Sequence, residues 1–139
     1  MRFVIYGAGA IGGVIGAHLA LSGADTTLVA RGEHLRAMRE HGLVLDTADG
    51  RQSVSTALAS NASEVGWDDD TVVLLAVKSQ QTAAAIDDLR AHMPVKTPVV
   101  SAQNGVANER ELPRVFPHVY SLCVMLPALH LEPGVVVQA

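Results

Sequence analysis

The sequence predicts an α/β domain built on a doubly wound, mostly parallel sheet. Two observations carry this: short β-branched runs alternate with helix-patterned stretches along the chain, and a glycine-rich turn lies directly between the first strand and the first helix. A third bounds it. At 139 residues, 49% hydrophobic and 17% charged, the chain suits one globular domain with a real core.

The first strand is expected at Arg2–Tyr6 and the first helix at Ala10–Leu21. Between Phe3 and Ala24 there is no Asp, Glu, Lys or Arg, and about 20 apolar residues suffice to span a bilayer. The Met-Arg start resembles a secretory signal, and the pairs Gly9/Gly13 and Gly12/Gly16 have the small-xxx-small spacing of packed membrane helices. Context decides against lipid. Phe3–Tyr6 is needed as the first strand of a βαβ unit with Thr26–Ala30, so the apolar helix is expected between the sheet and its neighbours.

After the strand Thr26–Ala30 comes a helix at Glu33–His41. The stretch "LVLDTADGRQSVSTAL" then places Asp49-Gly50 between two alternating runs, which predicts a β-hairpin as a small antiparallel excursion. Asp68-Asp69-Asp70 reads as a solvated loop before a strand at Thr71–Val77. A helix at Gln80–Met93 follows, with Ser79 as N-cap and Thr82, Ile86, Leu89 and Met93 on its sheet-facing side. Further strands are expected at Pro98–Ala102 and Val119–Met125. Pro133-Gly134 makes a turn into the final strand, "VVVQA". No internal repeat, low-complexity tract or linker is present.

Composition excludes several functions. A net charge of −4 and no Lys/Arg run give no footprint for nucleic acid. Cys123, the single cysteine, lies in the apolar run Leu122 to Leu126 and is expected to be a small core residue, which favours a reducing, cytoplasmic setting. The six histidines show no paired ligand spacing, so no metal site is expected. His18 is expected to be hydrogen-bonded in the interior, and His130 is kept as a crevice residue. Asp87 and Asp88 are neighbours on a helix and cannot face one another as an acid/base pair. No Ser or Cys has the context of a hydrolytic nucleophile.

The chemistry concentrates in Gly7-Ala8-Gly9-Ala10-Ile11-Gly12, a G-x-G-x-x-G after a strand and opening a helix. Gly7 permits the tight turn, Gly9 lets backbone approach a pyrophosphate, and Gly12 lets the helix sit close on the strand. The N–H groups of Ala10, Ile11 and Gly12 would face the phosphates with the positive end of the helix. A dinucleotide site of the Rossmann type is the expectation. NAD binders tend to place an acid at the end of the second strand; here that strand ends in Arg31-Gly32, and a guanidinium suits a ribose 2′-phosphate. This favours NADP(H) as cofactor, the alternative being an ordinary solvated arginine. Glu33 is expected to complement the next helix N-terminus. Lys78 and Asn104 follow later strands, where a cation and an amide can reach ribose, phosphate or substrate. Their alternatives are a solvent-facing lysine and a simple Asn-Gly turn.

The blocks "GAGAIGG", "TTLVARGEHLRAMREHGL", "LLAVKSQQT" and "AQNGVANERELPRVFP" resemble, in order and spacing, the motifs of the ketopantoate reductase (2-dehydropantoate 2-reductase) family. The resemblance covers essentially the whole chain. It implies a Rossmann-type NADP(H)-binding domain over residues 1–139 of an oxidoreductase that reduces 2-dehydropantoate to pantoate with NADPH, in pantothenate and coenzyme A biosynthesis. It further implies that Gly7, Ala8, Gly9, Ala10, Ile11 and Gly12 hold the pyrophosphate. Arg31 would take the 2′-phosphate, Lys78 would assist cofactor binding, and Asn104 would lie beside nicotinamide and substrate. The family continues into a C-terminal helical domain that supplies a general-acid lysine and substrate ligands. The sequence stops near its Val135–Val137 strand, before that domain, and its only lysines are Lys78 and Lys96. No catalytic residue is therefore assigned, and the chain alone is expected to bind NADP(H) but to turn over poorly.

Two other functions fit the same residues: a stand-alone NADP(H)-binding or sensing module, and the cofactor domain of a related 2-oxo-acid dehydrogenase. The expected partners are a small 2-oxo acid, and the missing helical domain or a second copy of the chain. A terminal strand that leaves an unpaired edge or an uncovered apolar face would favour the second copy.

Overall fold

The computed structural model describes residues 1–102 and 112–139. Its centre is a six-stranded, wholly parallel sheet assembled from β1 (Arg2–Tyr6), β2 (Asp25–Val29), β5 (Ala57–Ala59), β6 (Thr71–Leu75), β7 (Val99–Ser101) and β8 (Val119–Ser121), in the order β5-β2-β1-β6-β7-β8. Successive strands move outward on one side of β1 and then on the other. The strand order therefore reverses between β1 and β6, where doubly wound sheets open a crevice at the carboxyl ends of their strands.

Helix α1 (Ala10–Leu21) and helix α2 (Gly32–His41) cover one face, and α3 (Thr82–His92) covers the other. On α3, Thr82, Ala85, Ile86 and Leu89 are buried against the sheet, with Met93 just beyond the helix. Ser79 does not cap α3. It opens a 3-10 turn, Ser79–Gln81, and Gln81 takes the N-cap position without a side-chain bond.

A second sheet packs over α1. The hairpin pairs β3 (Leu43–Thr47) with β4 (Gly50–Val54), and β10 (Val135–Gln138) lies parallel to β3 and antiparallel to β9 (Ala128–Glu132), giving β4-β3-β10-β9. The hairpin connection is Ala48-Asp49; Gly50 carries the positive φ of 119°, one position later than an Asp-Gly turn would place it. The terminal strand is not an edge, since β3 and β9 flank it. The edges of this sheet are β4 and β9; Leu129 and Leu131 on β9 are exposed, as is Met125 shortly before it.

This second sheet explains why α1 is apolar on every side. Ile5 and Leu28 press on it from the large sheet and Val136 from the small one, in a shared core with Val14 and Ala17. A helix apolar all round is a buried helix. A side chain on Gly13 would meet Val136 Cγ1 at 2.6 Å, and one on Gly16 would meet Leu28 Cδ2 at 2.5 Å. The small-residue spacing thus serves close packing between two sheets. No helix among the described residues is long and apolar enough to cross a membrane.

Two further expectations fail. Cys123 is exposed, because β8 stops at Ser121 and the chain then crosses from the large sheet to the small one. His18 is hydrogen-bonded, through Nε2 to Gln138 Oε1 at 2.7 Å, but it is exposed in the last turn of α1.

Candidate functional site

A cleft of about 890 Å³ opens at the carboxyl ends of β1 and β6. Its floor is the glycine turn. Gly7 sits at φ 104°, in the left-handed region, and any Cβ there would lie 2.9 Å from the backbone of Ala76 and Val77. A Cβ on Gly12 would stand 1.9 Å from the Gly7 carbonyl oxygen, so the turn and helix can approach this closely only through glycine. At Gly9 nothing lies within 4 Å of the added Cβ. That side of the turn is open to a ligand.

The N-terminus of α1 points the same way. Gly9 is its N-cap and offers no side chain, and the first intrahelical bond from beyond the first turn runs from Gly13 N–H to Gly9 O at 2.7 Å. The N–H groups of Ala10, Ile11 and Gly12 precede that bond and have no acceptor within the helix. Among the described residues no side chain caps this end. Three donors and the positive end of the helix thus face an uncovered space, which is the arrangement an anion needs.

Arg31 lines the same cleft, exposed, as the N-cap residue of α2. Among the described residues no carboxylate pairs with it. Glu33 is instead engaged by Arg36, at 2.9 Å on the exposed face of α2, in the first turn as expected. Lys78 is exposed, lines the cleft just after β6, and precedes the Ser79–Gln81 turn. Asn104 lies outside the described residues. The structure therefore gathers Gly7 to Ile11, Arg31 and Lys78 around one cleft and sets Gly12 directly behind its floor.

Two cleft residues were not singled out from the sequence, and a third was expected in the crevice and lies there. Tyr6 is the first; its hydroxyl donates to Asp88 Oδ2 at 2.5 Å, and the same oxygen accepts the Ala62 N–H at 2.9 Å. Burial first, then the bond and charge of Asp88, raise the Tyr6 phenol above its ordinary value, against a downward pull from Arg31. The hydroxyl stays a donor. The i, i+4 spacing of α3 puts Asp88 off the buried face, and nothing local announces a partner so far away in sequence.

His34 is the second. Its Nδ1 accepts the Gly134 N–H at 2.8 Å, so Nε2 carries the proton and donates to the Ala8 carbonyl at 2.5 Å. Burial lowers its pKa, partly offset by the Ala8 bond. The third, His130 on β9, was kept only as a crevice residue. Its ring lies 4.0 Å from that of His34, centroid to centroid, and burial, His34 and Lys78 lower its pKa. With Leu126, Ala128 and Leu129 it forms the far wall of the cleft. Among the described residues no group of His, Cys, Asp and Glu is arranged to hold a metal ion.

The comparisons agree with this geometry. The sequence model of the family described as ketopantoate reductase PanE/ApbA matches residues 3–139. The 2-dehydropantoate 2-reductase of Mesorhizobium japonicum is 42% identical over 108 residues, covering 76% of this chain and 32% of that enzyme. The 2-dehydropantoate 2-reductase of Pyrococcus horikoshii is 32% identical over 136 residues, covering 98% of this chain and 44% of the enzyme. Among solved structures, a PanE/ApbA family ketopantoate reductase from Ralstonia eutropha JMP134 superposes with a TM-score of 0.91 at 32% identity, over 99% of this chain and 46% of the other. A D-mandelate dehydrogenase solved with NADH and anilino(oxo)acetate superposes with a TM-score of 0.88 at 26% identity, over 100% of this chain and 45% of the other. The chain thus spans less than half the length of these relatives. A Rossmann-type sheet, an anion-ready glycine turn at its switch point and a family match over nearly every residue lead to one conclusion: the chain belongs to the ketopantoate reductase family of oxidoreductases.

Proposed function

We propose that residues 1–139 form the NADP(H)-binding domain of a ketopantoate-reductase-like oxidoreductase, which reduces 2-dehydropantoate to pantoate. The supporting observation is the pairing, among the described residues, of three N–H donors without an acceptor in the helix at the switch point with an arginine at the end of β2, Arg31, that no carboxylate engages. An NAD-selective site of this type puts an acid there to accept from the ribose 2′-OH. The donors of Ala10, Ile11 and Gly12 would hold the pyrophosphate, Arg31 the 2′-phosphate, and Lys78 a phosphate or ribose oxygen. Asn104 would lie beside nicotinamide and substrate, as the family resemblance implies.

The nicotinamide, when bound, supplies the hydride. The chain's own task is to bind, orient and exclude water. Reduction of a 2-oxo acid leaves alkoxide character on the substrate oxygen, and a positioned acid that protonates it contributes typically about 10²–10⁴-fold. In our reading that acid belongs to the part of the relatives that this chain does not span. The 139-residue chain by itself would then bind cofactor and turn over 2-dehydropantoate poorly. Clear steady-state turnover by the purified chain would overturn this part.

The direct test is a calorimetric titration with NADPH and NADH in parallel. We expect tighter binding of NADPH, and a loss of that preference by about tenfold or more in Arg31→Ala, the range for a charge-assisted hydrogen bond. Equal affinities that Arg31→Ala leaves unchanged would remove the assignment of NADP(H). A second reading, the cofactor domain of another 2-oxo-acid dehydrogenase, draws on the likeness to the D-mandelate dehydrogenase solved with NADH. It predicts NADH binding at least as tight as NADPH.

A further inference from the structure

The imidazole of His34 joins three segments that are far apart in sequence. It stands in the first turns of α2, takes its proton acceptor from the glycine turn, and takes its donor from the Pro133-Gly134 turn between β9 and β10. Both partners are buried: Ala8 is 2% exposed, and Gly134 is buried against α2. Buried peptide groups need partners, and leaving one without costs more than a hydrogen bond returns. The Gly134 N–H can only donate. It therefore fixes Nδ1 as the acceptor and Nε2 as the donor, with no tautomeric choice left to the ring.

The Ala8 carbonyl matters because of where it sits. Ala8 lies between Gly7 and Gly9, in the part of the turn that lines the cleft floor. In a trans peptide the carbonyl and the following N–H point in opposite directions. Drawing the Ala8 oxygen onto His34 therefore sets the direction of the Gly9 N–H and the entry into α1.

We infer that His34 is a positioning residue for the dinucleotide: as the Nε2–H tautomer it holds the glycine turn, through the Ala8 carbonyl, in its anion-binding shape. This rests on the dinucleotide reading above. It differs from Arg31 in its signature. A residue that shapes the pyrophosphate turn changes the affinity for NADPH and NADH by the same factor, whereas a residue that reads the 2′-phosphate changes their ratio.

Two substitutions separate the two ends of the ring. In His34→Gln the side-chain amide nitrogen reaches the place of Nε2 and still donates to Ala8. In His34→Asn the amide oxygen takes the place of Nδ1 and still accepts from Gly134, while the donor to Ala8 is gone. The expected result is that His34→Asn weakens NADPH and NADH equally, by about tenfold, and that His34→Gln stays within about threefold of the wild type. Nitrogen-15 NMR of the dinucleotide-free chain gives a second readout: an Nε2-protonated His34 ring, with amide shifts of Ala8 to Gly12 displaced in His34→Asn and largely kept in His34→Gln.

Wild-type binding of both cofactors with unchanged affinity in His34→Asn would overturn the inference and leave the dinucleotide reading intact. Equal losses in the Asn and Gln variants would overturn it too, since the donor to Ala8 would then not be the cause. Wild-type chain that binds neither cofactor would overturn the dinucleotide reading and the ligand half of the inference; the NMR arm then decides the hold on the turn. An Nδ1-protonated ring would overturn that hold in every case.

Discussion

Gly12 allows the sharpest prediction about a single residue. Its missing Cβ leaves 1.9 Å to the Gly7 oxygen, and backbone cannot yield as a flexible side chain can. Gly12→Ala is expected to lower stability by about 1–3 kcal/mol, the range for overpacking, and to weaken dinucleotide binding; thermal melts and a titration measure both. A second prediction concerns pH. Folding lowers the pKa values of His34 and His130, so the unfolded chain binds protons more readily. Stability from these groups is complete above the ordinary value of 6.5 and is lost as pH falls from there through the folded pKa values. Lys78 and the His34 ring act in the same direction on His130. The melting temperature should decline as pH falls below 6.5, and the double variant His34→Gln, His130→Gln should show a flatter profile. An unaltered slope would assign the decline to other groups. Gly7 to Gly12, Arg31 and Lys78 were readable because their positions follow from strand and helix ends. His34 was not, because its partners Ala8 and Gly134 come together only in the folded chain.

Among the elements, α1 shows best how a local signal becomes ambiguous. Its lack of charge fits a membrane helix and a doubly covered soluble helix equally well, and only the strands on either side distinguish them. The covering by β10 makes a specific prediction. Gly13→Ala should destabilise the fold, because its Cβ meets Val136 Cγ1 at 2.6 Å. Adding Val136→Ala should return part of the loss, so that the double variant is more stable than the sum of the single effects by roughly 0.5–3 kcal/mol. Additive losses would show that the contact relaxes without cost. Helices α1, α2 and α3 and the first strands were readable from periodicity and glycine punctuation. The errors fall where tertiary structure takes over: β6 and β8 end early because the chain leaves the sheet to build the cleft and to cross to the second sheet. Ser79 was displaced from the cap by an extra 3-10 turn.

For the whole molecule, the second sheet was the large omission. The hairpin and the final strand were each expected, but pairing of Val44 with Val135 joins opposite ends of the chain, and local pattern carries no record of such partners. Since β10 is interior to that sheet and Val136 is fully buried, deletion of residues 135–139 should abolish cooperative unfolding. A sharp melt in the shortened chain would show that the large sheet and α1 stand without their cover.

The place of β10 also has a consequence for how the molecule comes into being. Residues 43–54 leave the ribosome early and can form only a two-stranded ribbon, which is marginal in water. Their second neighbour, β10, is made only after β5 to β9. Until it arrives, the apolar outer side of α1 and the strand edge of β3 are uncovered together, a state prone to association. Synthesis from one end to the other therefore completes the cleft only after the large sheet is made: its far wall on β9 and the Gly134 donor to His34 take their places only when β10 slides between β3 and β9.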